Sequence, residues 1–158
     1  MKYSDGDYSV SKTTRTDINY VANHMRRSDV CEVYMSDKML PYESLRVSVE
    51  TSDEAYTIKY KTIPFAIFGI ASNKMAKSVS AIWLLGTYEL DKHKKKFHVI
   101  TKKYLDYFHV KSKVLFNFVL ASNEVSLKWL EKLGASFSVP KPYGKCGALF
   151  KYFELRSG

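Results

Sequence analysis

Along this chain the period of the apolar positions changes several times, and each change predicts a boundary. Residues 55–60 alternate, with Tyr56, Ile58 and Tyr60 on one side, the pattern of a half-buried strand. Pro64 then opens the apolar run 65–70, and Lys61-Thr62-Ile63 joins the two segments as an antiparallel pair. The polar stretch 71–80 reads as a loop. Residues 81–85 are short and apolar enough for a central strand that stops at Gly86. From Lys94 to His109 the spacing becomes helical, with Phe97, Ile100, Tyr104, Leu105 and Phe108 on one face and Lys95, Lys102, Lys103 and Asp106 on the other. Another apolar strand spans 115–120.

A second helical pattern follows Asn123, with Val125, Trp129, Leu130 and Leu133 sharing a face. Asn123 suits its N-cap and Gly134 the left-handed position after its end. Residues 136–139 and 149–155 read as a last antiparallel pair around the turn-rich 140–147. Upstream, Asp17 is placed to cap a short helix ending at Asn23, and Ser28 or Asp29 to cap a second carrying Val30, Val33 and Tyr34. A third helix, 40–51, has Pro41 in its first turn with Leu45 and Val49 inward. Helices, strands, a helix, a strand, a helix and strands predict an α/β fold, a mixed sheet with helices on both faces.

The 158 residues, 46% hydrophobic and 26% charged, are enough for one domain, 1–158, with one core. Twelve Tyr and nine Phe make ring packing a large part of that core. The amino terminus lacks the apolar run of a secretory signal, and Cys31 and Cys146 are far apart, so the expected setting is reducing and not secreted. No apolar run is long enough for a membrane span. The net charge of +9 is uneven: residues 1–79 hold 11 Lys/Arg against 10 Asp/Glu, residues 80–158 hold 14 against 6. An acidic partner would therefore meet the carboxy-terminal half.

Three sets of residues carry chemistry. Lys92, Lys94, Lys95 and Lys96, with His93 among them, sit at a predicted helix start where the macrodipole already places positive charge, so they are a candidate anion site or a solvated run offset by Glu89 and Asp91. Glu32 and Asp29 are candidate bases, or a helix carboxylate and a capping acid. His24, His93, His98 and His109 show no metal-ligand spacing with either Cys, and no metal is expected.

Asn123-x-x-Ser126-x-x-x-Leu130-Glu131-Lys132-Leu133-Gly134-Ala135 resembles the closing motif of the GNAT acyl-CoA N-acyltransferase fold. A closer resemblance is to small GNAT-like proteins of tailed phages, including internal virion proteins of T7-like phages. It is carried by Arg27-x-Asp29-x-x-Glu32, Pro64-Phe65-Ala66-x-Phe68-Gly69, Trp83-x-Leu85-Gly86-Thr87 and Asn117-x-Val119, and covers roughly residues 25–154. The resemblance implies a mainly antiparallel sheet whose two central strands splay apart, with the pantetheine arm of acetyl-CoA between them. By position it implies Leu84, Leu85, Gly86, Thr87, Asn123 and Ser126 as cofactor contacts, with the Leu85 amide as an oxyanion donor.

Two departures from the family pattern bear on activity. The glycine-rich turn that cradles pyrophosphate is represented by Gly86-Thr87-Tyr88-Glu89-Leu90-Asp91-Lys92, with one glycine and two carboxylates. The tyrosine that protonates the leaving thiolate is replaced by Leu130, which leaves Tyr88 as the nearest proton donor in sequence. Three functions therefore stay open: an acetyl-CoA-dependent N-acyltransferase acting on a protein or small amine; a catalytically inactive GNAT-fold virion or host-interaction protein, in the host cytoplasm or the phage particle; and a basic nucleic-acid-binding module.

Overall fold

The first twelve residues depart from the sequence reading. In the computed structural model, which describes residues 1–158, β1 (Tyr3–Asp5) and β2 (Tyr8–Lys12) form a hairpin turning at Gly6, φ 60°. These strands are too short and polar to show a period, and their pairing comes from β2 lying antiparallel to β3 (Glu54–Tyr60).

Three helices intervene. For α1 (Arg15–Asn23) the cap is Thr14, not Asp17: the Thr14 side chain accepts from the Asp17 amide while Asp17 accepts from the Thr14 amide. For α2 (Arg27–Asp37) the N-cap position is Arg26, and neither Ser28 nor Asp29 caps it. Asp29 turns away to bind Gly86, as described below. Pro41 is the first residue of α3 (Pro41–Thr51), where its missing N–H costs nothing.

Lys61 and Thr62, φ 48° and 68°, make a two-residue turn from β3 into β4 (Ile63–Ser72), with Tyr60 opposite Ile63. β4 then pairs antiparallel with β5 (Val79–Gly86) from Ala66↔Gly86 to Ser72↔Ser80. The expected loop 71–80 is shorter than its polarity suggests: residues 73–78 connect the strands, while 71–72 and 79–80 belong to β4 and β5. Its serines read as loop because they are polar, yet Ser80 is buried against the hydroxyl of Ser112, 2.6 Å away. A 3-10 turn (Tyr88–His93) leads into α4 (Lys94–His109), followed by β6 (Val114–Leu120), α5 (Glu124–Lys132), β7 (Ser136–Phe137), β8 (Lys141–Pro142) and β9 (Leu149–Arg156).

The sheet runs β1-β2-β3-β4-β5-β6-β9-β7, with β8 also on β9, and every pairing is antiparallel except β5 with β6. Burial divides about it. Phe97, Ile100, Tyr104 and Phe108 of α4 pack with Tyr56, Phe68 and Leu115 on one face, and Leu130 of α5 joins Val119 and Phe153 there. Ile18, Val21, Val33 and Leu45 of the first three helices pack with Ile67 and Leu85 on the other. No helix is long and apolar enough to cross a membrane.

Candidate functional site

The site begins where the only parallel pair comes apart. β5 and β6 are paired only over Val79↔Val114, Ser80↔Leu115 and Ala81↔Phe116; beyond those positions each continues, bonded to its outer neighbour alone. Asn117 holds the closed end of the gap: its side-chain amide donates to the Ile82 carbonyl, and its Oδ1 accepts from the Phe118 amide. Successive peptide groups of a strand face opposite neighbours. Since the Thr87 amide donates to Phe65 of β4, the odd residues of β5 serve β4 and the even ones, Ile82, Leu84 and Gly86, face the gap. Ile82 is engaged by Asn117, and Gly86 donates to Asp29 Oδ2 at 2.8 Å and accepts from the Arg26 amide. The main chain directed freely into the gap is therefore that of Leu84. The expected Leu85 amide is corrected by this parity: it belongs to the ladder with Ile67.

The resulting cleft passes through the sheet, lined by Phe68, Ile82, Tyr104 and Leu105 on the α4 side and by α2, α3 and Tyr143 on the other. Its free volume of about 220 Å³ is below the ~300 Å³ at which pockets for bulky ligands begin, which suits a slender chain. α2 lies along it and presents Arg26, Asp29, Glu32, Val33, Ser36 and Asp37, a cation at the amino end and carboxylates after it. Asp29 is buried and held on two sides, by Arg26 Nε at 2.8 Å and by Gly86. Burial nevertheless keeps its carboxyl above the ordinary range.

One turn on, Glu32 Oε2 accepts from Asn123 Nδ2 at 2.7 Å. Burial pushes the Glu32 carboxyl up to about 7; the Asn123 hydrogen bond opposes this, and the nearby Asp29 reinforces it. A group titrating there holds or releases a proton at neutral pH, as a general base must. Asn123 is the N-cap of α5, as its residue type predicts, and its Oδ1 accepts from the Ser126 amide. Both ends of that side chain are thus committed within the protein, so it shapes the cleft through Glu32 rather than by facing it.

A second cleft adjoins the first, sharing Arg26, Ser126 and Trp129, and lies between α4 and α5. Arg26, Lys94, His98, Lys128 and Lys132 line it against the single carboxylate Asp91. Two buried ring nitrogens at its wall, His98 Nδ1 and Trp129 Nε1, have no hydrogen-bond partner. Sequence reading missed Arg26, Lys128 and Lys132 because it weighed a contiguous run of lysines, whereas this cleft gathers cations from three separate elements. Of the run, only Lys94 lines the cleft: Lys92 pairs with Glu89, Lys96 pairs with Asp5 of β1, and Lys95 is exposed elsewhere.

The turn after β5 is closed to ligands. The amides of Gly86, Thr87, Tyr88, Glu89 and Leu90 donate to Asp29, Phe65, His24, the Thr87 hydroxyl and the Thr87 carbonyl respectively. Thr87 is buried, and its hydroxyl caps the 3-10 turn. Tyr88 is 56% exposed, beside the His24 ring and outside both clefts, so it is no proton donor to the site. The tyrosines that do line the main cleft are Tyr104, buried in the core beneath it, and Tyr143, stacked on Phe118 at 3.8 Å. Of the remaining expected contacts, Leu84, Leu85 and Ser126 line the cleft. No three His, Cys, Asp or Glu side chains gather where they could hold a metal ion.

No protein-family model matches the chain, and no curated protein matches it. Solved structures do. A spermidine N-acetyltransferase from Vibrio cholerae in complex with CoA and spermine is similar with TM-score 0.71 and 9% identity, over 96% of each chain. A ribosomal-protein-S5-alanine acetyltransferase from Vibrio fischeri gives 0.68 and 13%, over 99% of this chain and 96% of that one. An acetyltransferase of the GNAT family from Bacillus anthracis gives 0.69 and 15%, over 99% and 98%. Identities this low speak for architecture, and together with the splayed central strands they establish that this chain has the GNAT fold.

Proposed function

We propose that this protein is an acyl-CoA-dependent N-acyltransferase. The observation that carries the reading is the parting of β5 from β6, which opens a slender cleft with a cationic compartment adjoining it and a carboxylate titrating near neutrality in its wall. The residues present fit the cofactor in two respects: the Leu84 carbonyl offers an unengaged acceptor to an extended arm, and Arg26, Lys94, Lys128 and Lys132, with the orphaned Trp129 Nε1, offer donors to phosphate. When bound, acetyl-CoA supplies an activated acyl group as a thioester. Glu32 takes the proton that an ammonium acceptor must lose before its nitrogen is nucleophilic. Asn123 and the Leu120 main chain hold that carboxylate in place. The amide of Leu84 is the donor directed at developing negative charge.

The test is a calorimetric titration with acetyl-CoA, expected to give a Kd in the micromolar range. Absence of binding at millimolar ligand overturns the reading.

One observation favours a second reading, a GNAT-fold protein without chemistry that binds an acidic host or virion protein. The five amides after β5 are all spent on internal acceptors, so anion binding rests on flexible side chains, which also suit a protein surface. Failure to bind acetyl-CoA combined with co-purification of an acidic partner would select it.

A further inference from the structure

The cationic compartment holds one group that acyl transfer leaves without a task. His98, on the second turn of α4, lines it, and the buried Nδ1 of its ring has no hydrogen-bond partner. Charges gather on this imidazole from four elements. Lys94 and Lys102 lie on its own helix, Lys128 and Lys132 on α5, Arg26 at the head of α2, and Asp91, the one carboxylate, in the 3-10 turn. A proton on the ring would add positive charge to theirs and place a donor where no acceptor stands. Burial first, then Lys132 and Lys102, accordingly hold the His98 imidazole below its ordinary pKa, so the ring is neutral at pH 7.

Trp129 Nε1 is orphaned in the same wall, and an indole nitrogen only donates. Its ring packs on Phe97, with centroids 5.2 Å apart, which keeps it from turning to another partner. Buried polar atoms in proteins are as a rule paired, and these two lie side by side on a cationic cleft. Anionic oxygen in that cleft supplies what both lack. We infer that His98 makes this compartment a proton-linked anion site: a pyrophosphate diester enters together with one proton from solvent, which stays on the imidazole beside it. No covalent bond to the ligand forms. Affinity is then level at acid pH, falls as pH rises from the free to the bound titration of His98, and is level again above it. Attraction to ammonium and guanidinium groups alone weakens with salt but not with pH near neutrality.

The ligand's identity rests on the N-acyltransferase reading; the proton does not. Glu32, in the adjoining cleft, is a second group able to take up a proton when an anion arrives, and Glu32→Gln removes it from the count. The probes are dephospho-CoA and ADP-ribose, pyrophosphate diesters with and without the pantetheine arm, neither of which exchanges a phosphate proton near neutrality. Calorimetry of the full chain in buffers of differing ionisation enthalpy counts the protons bound with each, and the NMR signals of the four imidazoles show where they go. The expected result is uptake of about half a proton or more per ligand near pH ~6.5, the ordinary imidazole range. It should be kept in Glu32→Gln and largely lost in His98→Gln, and the wild-type His98 signal should titrate at higher pH with ligand bound. Uptake undiminished in His98→Gln overturns the inference, as does a His98 titration unmoved by bound ligand in the wild-type chain, a result that depends on no variant. Acetyl-CoA binding without a His98 shift overturns the proton link alone. A His98 shift with ADP-ribose in a chain that ignores millimolar acetyl-CoA overturns the enzyme reading alone.

Discussion

Glu32 and Asn123 form the pair on which most of the chemistry turns. With a folded pKa of about 7 against an ordinary 4.5, Glu32 keeps its proton in the native state after the unfolded chain has lost it. The native state then binds more protons across that interval, so stability falls as pH rises from about 4.5 to about 7 and is flat outside it. Glu32→Gln preserves the acceptor for Asn123 and has nothing to ionise. It should raise the thermal midpoint at pH 8, remove that pH dependence, and lower kcat/KM by ~100-fold or more, the usual contribution of a general base. Loss of activity without the change in the pH–stability profile would assign Glu32 to binding alone. Asn123→Ala removes a helix cap, costing ~1 kcal/mol, and also removes the donor that restrains Glu32. The acid limb of the pH–rate profile should therefore move upward, which a capping role by itself does not cause. Asn123 was legible as a cap from its place before an amphipathic run. Its bond to Glu32 was not, because the two are 91 residues apart and nothing local links them.

Among the elements, those with a clear period were found where the sequence placed them: α4, α5, β3 and the apolar parts of β4, β5 and β6. Those decided by partners were missed. β1 and β2 pair through backbone groups their composition does not announce, and Asp29 left the capping role its type predicts because the Gly86 amide and Arg26 offered a buried carboxylate two partners. The parting of β5 and β6 belongs to this scale as well, and Asn117 is its staple. Asn117→Leu strands the Ile82 carbonyl in an apolar setting, at a cost of ~1–3 kcal/mol. Hydrogen exchange of the Ile82 and Trp83 amides, at the closed end of the gap, should quicken in that variant. If their protection is unchanged, the staple is not what fixes the gap.

At the scale of the whole molecule, the excess charge of the second half is only partly surface solvation: Lys94, Lys128 and Lys132 converge with Arg26 from the first half on one cleft. Neutralising Lys94 and Lys132 together to Gln should weaken acetyl-CoA binding at least tenfold at low salt and flatten its decline with added salt. Equal salt slopes for both proteins would remove that cleft from the cofactor's path. The run 92–96 and its local offset by Glu89 were visible in the sequence, but its full partition was not, since Asp5, 91 residues from Lys96, claims that lysine only in three dimensions.

Arg26 stands in the wall common to the two compartments, its guanidinium on Asp29 and its main-chain amide on Gly86. A phosphate that draws on this guanidinium takes it from the carboxylate it neutralises, and Asp29 is one of the groups that set the proton affinity of Glu32. Occupancy of either compartment must then register in the other, by the same factor in both directions. For two reactants meeting in one passage, that reciprocity decides which of them enters first.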